Sequence, residues 1–184
     1  MQACDIKQAV SVIAAGGLLA YPTEAVYGLG CDPRNVTAIK RLLALKQRDH
    51  KKGLILIAAD ESQLTDWIQA LNQEQKNRIG NSWPGPTTWL IPAQAHVSSY
   101  LRGEHDKLAV RVTKHPVARA LCQQCGHALV STSANLSGMP PAKSAYEVSQ
   151  QFDHKIDGLL DGALGGRTQP SNIIDITNGN IIRA

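Results

Sequence analysis

Residues 53–59 read GLILIAA, the clearest buried strand in the chain. A short apolar run with a glycine at its head and an aspartate at its foot is what a strand covered on both faces looks like. Just after it, Asp60 is placed to cap a helix running through Trp67 and Leu71, and a further helix is expected over residues 73–79. Upstream, Asn35 can cap a helix that turns Val36, Ile39, Leu42 and Leu43 inward. Before that, Asp5 caps a helix over residues 6–15 that stops at Gly16-Gly17, and residues 18–21 form a short buried strand leading into a glycine-containing loop.

Downstream, residues 82–86 (SWPGP) suit neither a helix interior nor a central strand. Strands are expected at 87–91, 108–112 and 127–131. Pro116 suits the first turn of a helix, and Ser144 caps another. Asn178-Gly179 is a strong hairpin turn between strands at 173–176 and 180–183. Strands and helices alternate and a hairpin closes the end. This predicts one domain over residues 1–184, of α/β or α+β class, built on a mixed twisted sheet.

Composition agrees. The 184 residues are 43% hydrophobic and 18% charged, which suits a folded globular protein. Only three Trp, four Tyr and one Phe are present, so aliphatic residues must fill the core. The N-terminus, MQACDIKQAV, lacks the basic and apolar regions of a signal peptide, and no window is apolar enough to span a membrane. The expectation is a reduced, cytoplasmic protein. Cys122 and Cys125 form a lone CxxC without a second pair at zinc spacing, read as packed thiols in a helix.

The formal net charge of +4 is modest, but its distribution is uneven. Lys40, Arg41, Lys46, Arg48, Lys51 and Lys52 fall within 13 residues, opposed only by Asp49. Such a run is either a solvated helix end or part of an anion site. Phosphate-gripping P-loops, dinucleotide-binding glycine motifs and nucleophile elbows are all missing, and the six histidines show no metal spacing. Polar residues gather instead in loops after apolar strands, where open α/β sheets place ligands. Together these loops hold several fixed cations, many hydroxyls and few carboxylates, a mix suited to a multiply charged phosphate ligand.

Six segments make the reading specific. YPTEAVYGLGCDP (21–33), KQR (46–48) followed by KGLILI (52–57), WPGPTT (83–88), LAVRVTKHP (108–116), STSANLSGMPP (131–141) and PSNIID (170–175) resemble, in order, the signature segments of the YrdC-like family. The resemblance implies an α/β twisted open mixed sheet with flanking helices and a concave basic face. It also implies an enzyme that joins L-threonine, bicarbonate or CO2, and ATP into threonylcarbamoyl-AMP and pyrophosphate. A downstream threonylcarbamoyl-transferase complex would then modify the tRNA adenosine beside the anticodon.

By the same resemblance, the Lys-x-Arg and Ser-x-Asn signatures fall on Lys46, Arg48, Ser133 and Asn135, which would hold the ATP phosphates and reacting groups. Lys52, Thr88 and Arg183 match further nucleotide contacts. The threonine pocket would comprise Thr23, Ser131 and Ser171, with Tyr27 and Arg111. No carboxylate cage for a metal is evident, so Mg²⁺ would arrive held by ATP phosphates and water. Two positions depart from the pattern: a histidine that helps bind threonine in two-domain relatives aligns with Ile57, and a family serine is Pro141. The alternative function is a non-catalytic module binding tRNA or double-stranded RNA through the basic stretch; a phosphate-releasing hydrolase is a third.

Overall fold

The computed structural model describes residues 3–184. The run at 53–59 forms a strand over its middle, β4 (Ile55–Ala58), near the centre of a ten-stranded mixed sheet. The other strands are β1 (Ala3–Cys4), β2 (Leu19–Pro22), β3 (Tyr27–Gly30), β5 (Thr87–Pro92), β6 (Lys107–Val112), β7 (Leu129–Ser133), β8 (Gly158–Leu160), β9 (Asn172–Asp175) and β10 (Ile181–Arg183). Their order is β1-β8-β2-β3-β7-β4-β6-β5-β9-β10. β4 runs parallel to β6 and antiparallel to β7, which sets Arg111 opposite Ile57 and Ser131 opposite Ile55.

Helices α1 (Ile6–Ala14), α2 (Val36–Lys46), α3 (Gln73–Ile79), α4 (Ser99–Arg102), α5 (Pro116–Cys125) and α6 (Ala145–Phe152) connect them. Strand alternation assigns the faces. Ile57, Leu129, Leu19 and Tyr21 pack beneath α1 and α5 with Ile13, Leu121 and Cys122. Leu56, Val110, Val130 and Leu29 face the opposite way, into a larger core with Leu42 of α2 and Val148 and Phe152 of α6. The sheet is thus covered on both sides, as the apolar reading of β4 requires.

Capping fixes the helix starts where the sequence places them. The Asp5 side chain accepts from Gln8 N and the Asn35 side chain from Ala38 N, while Pro116 takes the first turn of α5.

Four expectations are corrected. The helix from Asp60 through Leu71 is a single 3₁₀ turn, Glu61–Leu64. Asp60 does cap it, but Gln63 accepts from Ala59 N and donates to Cys122 O, and the chain then bridges from Ile68 to Ala93. The glycine loop after residue 22 contains β3, paired antiparallel with β2. It fits because Gly30 has no Cβ to overlap the Val130 carbonyl oxygen. The strand expected at 127–131 starts two residues later, at Leu129. Val36 is 41% exposed and does not point inward.

All four cysteines are free thiols. Burial pushes both Cys122 and Cys125 up, the latter to about 11, so neither is a thiolate near neutrality. No helix among the described residues is long and apolar enough to cross a membrane.

Candidate active site

The turn between β2 and β3, the ends of β6 and β7, the entry to β9 and the end of β10 surround a cavity of about 200 Å³. Eight of the residues singled out from sequence line it: Thr23, Tyr27, Arg48, Arg111, Ser131, Ser133, Ser171 and Arg183. They come from segments more than 150 residues apart, brought together by the sheet order.

Each cation in the wall is held by the fold. Arg48 donates through Nε and Nη2 to Gly53 O at 3.3 and 3.0 Å. Arg183 donates through Nη2 to Ser171 O at 2.7 Å and to Ser171 Oγ at 3.2 Å. Burial lowers the pKa of both guanidiniums, and Arg183 is lowered further by Arg111 and Arg48. An anion in the cavity would relieve the repulsion that Arg111 and Arg48 exert on Arg183.

The hydroxyls are equally placed. Thr23 Oγ1 donates to Val26 O at 2.6 Å, which leaves its lone pairs free to accept. Ser171 Oγ pairs with Thr88 Oγ1 at 2.9 Å. Tyr27 OH reaches Asp161 Oδ1 at 2.7 Å and Gly162 O at 2.8 Å. Burial and Asp161 push that phenol up to about 12, so it stays protonated.

Four other candidates stand apart from the wall. Thr88 is fully buried behind Ser171. Lys46 and Asn135 lie behind Ser133 and bond to one another. Lys52 is exposed on the turn His50–Lys52. Of the two departures, Pro141 lines the cavity, whereas Ile57 is fully buried in the core under α5.

Two charged residues of the lining were not among the sequence candidates. Glu24 is the cavity's one carboxylate. Its Oε1 accepts from Thr113 Oγ1 at 2.8 Å, and its Oε2 stands 3.3 Å from Arg111 Nη2. Burial pushes its carboxyl up, but Arg111 and the Thr113 hydroxyl outweigh that and hold it below its ordinary value. Arg167 sits on a strap that crosses the cavity, tied by Gly165 N to Thr23 O at 3.1 Å and Arg167 N to Glu24 O at 2.9 Å. A Cβ on Gly165 would stand 2.9 Å from Glu24 Cα, so glycine permits the approach. The signal for both was present, since each lies inside a polar cluster that follows an apolar strand.

With one carboxylate, already ion-paired, the wall offers no donor set for a protein-held divalent metal. No group of three metal-ligating side chains occurs among the described residues.

Residues 11–184 match the Sua5/YciO/YrdC family model, described as "Telomere recombination". The chain belongs to this family. Threonylcarbamoyl-AMP synthase of Chromohalobacter salexigens is 53% identical over 178 residues, covering 97% of this chain and 96% of that relative. The enzyme of the same name from Xanthomonas campestris pv. campestris is 49% identical over 181 residues, covering 97% of each. Among Sua5/YciO/YrdC structures, P. abyssi Sua5 complexed with L-threonine superposes with a TM-score of 0.89 at 33% identity. That match covers 96% of this chain and 52% of Sua5, so the chain spans about half the length of this two-fold longer relative. E. coli YciO follows at a TM-score of 0.84 and 26% identity, covering 97% and 87%.

Proposed function

We propose that the chain is a threonylcarbamoyl-AMP synthase, a nucleotidyltransferase that converts L-threonine, CO2 or bicarbonate, and ATP into threonylcarbamoyl-AMP and pyrophosphate. The observation that carries this reading is the cavity itself: two fixed guanidiniums, Arg48 and Arg183, beside a cluster of small hydroxyls, in a fold shared with relatives named for this reaction. A triphosphate needs the first and a hydroxy amino acid the second.

The chemistry brings two anions together. Threonine's amine loses a proton and adds to CO2, giving a carbamate. A carbamate oxygen then attacks the α-phosphorus of ATP in line, and the bond to the β-phosphate oxygen breaks to release pyrophosphate. The protein's part is positioning and charge neutralisation. Arg48 and Arg183 neutralise the triphosphate and Ser133 orients it. Thr23, Ser131 and Ser171 hold threonine's polar groups, with Arg111 beside its carboxylate and Tyr27 closing the side. Lys52, on the exposed turn before β4, meets the nucleotide from outside the wall. Mg²⁺ would be held by the triphosphate and water, since Glu24 is ion-paired, and would add to the charge neutralisation that Arg48 and Arg183 supply. The product passes to a transferase complex that modifies tRNA.

The RNA-binding alternative loses support from the fate of the basic stretch. Arg41 is paired with Asp157 at 2.7 Å and Lys51 with Glu104 at 2.8 Å, and Lys46 is internal. Calorimetry separates the readings. Saturable threonine binding in the presence of ATP is expected; salt-sensitive RNA binding with no threonine effect would favour the module.

A further inference from the structure

Lys46 and Arg48 are neighbours in sequence with opposite fates. Lys46 ends α2, and Gln47 caps it in the left-handed conformation at φ 50°. That reversal turns Lys46 into the protein and sends Arg48 to the cavity wall.

Lys46 is 6% exposed and pairs with no carboxylate among the described residues. Its ammonium has three protons, and three oxygens receive them: Ser133 O, Asn135 O at 2.8 Å and Asn135 Oδ1 at 3.2 Å. Asn135 is just as fully used. Its Oδ1 also accepts from Ser133 Oγ at 2.6 Å, and its Nδ2 donates to Leu136 O at 3.1 Å and Met139 O at 2.9 Å. An unpaired buried charge is costly, so these oxygens are what keeps the ammonium there. The loop it grips carries Ser133 and Pro141 into the cavity.

We infer that Lys46 and Asn135 are positioning residues, which clamp the loop over residues 133–141 to the end of α2, and that neither touches the triphosphate. Arg48 is the cation of the pair that does. This rests on the synthase reading for its kinetic consequence, though not for its binding consequence. Among the described residues, the only charged side chain acting on Lys46 is Arg48; the facing loop presents carbonyls. Burial, reinforced by Arg48, lowers its pKa to about 8, so the clamp opens on the alkaline side of neutrality.

The test compares Lys46→Met, Asn135→Ala and Arg48→Met for ATP affinity by calorimetry and for steady-state synthesis. A loop freed to shift by an ångström costs about a hundredfold in kcat. Lys46→Met and Asn135→Ala should each show that loss while the Kd for ATP stays within about threefold, whereas Arg48→Met should weaken ATP about tenfold or more. The pH profile adds a readout that mere scaffolding would not move: activity of Lys46→Arg relative to the wild type should rise between pH 7 and 9, because arginine keeps its proton. ATP binding weakened as much by Lys46→Met as by Arg48→Met, with kcat spared, would overturn the inference. Should Lys46→Met fail to fold, Asn135→Ala decides, since a phosphate-contacting Lys46 would be released by it and bind ATP at least as well as before. A wild-type protein that binds ATP yet makes no nucleotide product would refute the synthase reading alone, because the affinity comparison stands without turnover.

Discussion

The Arg111 guanidinium and the Glu24 carboxylate meet in the cavity wall, Nη2 to Oε2 at 3.3 Å, with each side chain only 9% exposed. Arg111 Nε and Glu24 Oε2 are also the buried side-chain atoms without a hydrogen-bond partner among the described residues. A pair this buried is held mainly by its own attraction and by Thr113, so losing one member leaves the other uncompensated. Glu24→Ala is therefore expected to destabilise the fold by about 3–5 kcal/mol. Urea unfolding at pH 7 measures this; a loss below about 1 kcal/mol would mean the pair is solvated in solution.

Acid should act through the same group and two others. Glu24, Asp32 and Asp175 all have folded pKa values below their ordinary ones, despite burial that raises each. Their partners are Arg111 and Thr113 for Glu24, Arg34 for Asp32, and Lys107 for Asp175. A depressed carboxyl pKa contributes stability that is complete above the unfolded value and lost as pH falls through the folded value. The ordinary values are 4.5 for Glu and 3.8 for Asp, so the loss should begin near pH 4.5 and deepen below it. Lys107 lies 2.7 Å from Asp175, and Lys107→Met should flatten part of that slope. Thermal melts from pH 7 to pH 3 check the prediction, and an unchanged slope in the variant would contradict it.

Two glycines of β3 should respond differently to the same change. A Cβ on Gly30 would overlap Val130 O and stand 2.9 Å from the Tyr21 ring and hydroxyl, with backbone on one side that cannot move aside. Gly30→Ala should cost about 1–3 kcal/mol in stability. A Cβ on Gly28 meets Ser131 Oγ, Thr23 Cγ2 and Tyr21 at 3.3 Å, all side chains, of which Ser131 and Thr23 line the cavity. Gly28→Ala should stay folded and lose threonine affinity. Equal melting points for the two variants would refute the distinction.

How far the sequence could be read depends on how local each cause is. The caps at Asp5, Asn35 and Ser144 act within three residues and were legible. So was β4, where a continuous apolar run has one outcome. β3 was not, because Gly28 and Gly30 signal a loop until Ser131 is known to lie against the first and Val130 against the second. The helix expected after Asp60 failed for a similar reason: Gln63 is claimed by Cys122, far away in the chain. In the site, residue types were visible and their directions were not. Thr23, Ser131, Ser171 and Arg111 entered through a family resemblance, and nothing in Lys46-Gln47-Arg48 announces that one cation turns inward and the other outward. Glu24 follows β2 in a turn, and nothing local shows that Thr113 and Arg111 will enclose it to 7% exposure.

Arg48 is the residue whose loss should separate folding from chemistry. Its fixed bonds go to a single backbone oxygen, Gly53 O, and it is half-buried in the cavity wall. Arg48→Ala should melt within a few degrees of the wild type while synthesis falls about 10²–10³-fold, the range for removing one charge-stabilising donor. Near-normal synthesis would remove Arg48 from the mechanism.

Synthesis itself is measured by incubation with labelled bicarbonate, ATP and L-threonine, followed by separation of the nucleotide products. Label should appear in an adenylate only when all three substrates are present, with one pyrophosphate released per labelled product. Phosphate released without any need for threonine, or label that never enters a nucleotide, would contradict the account.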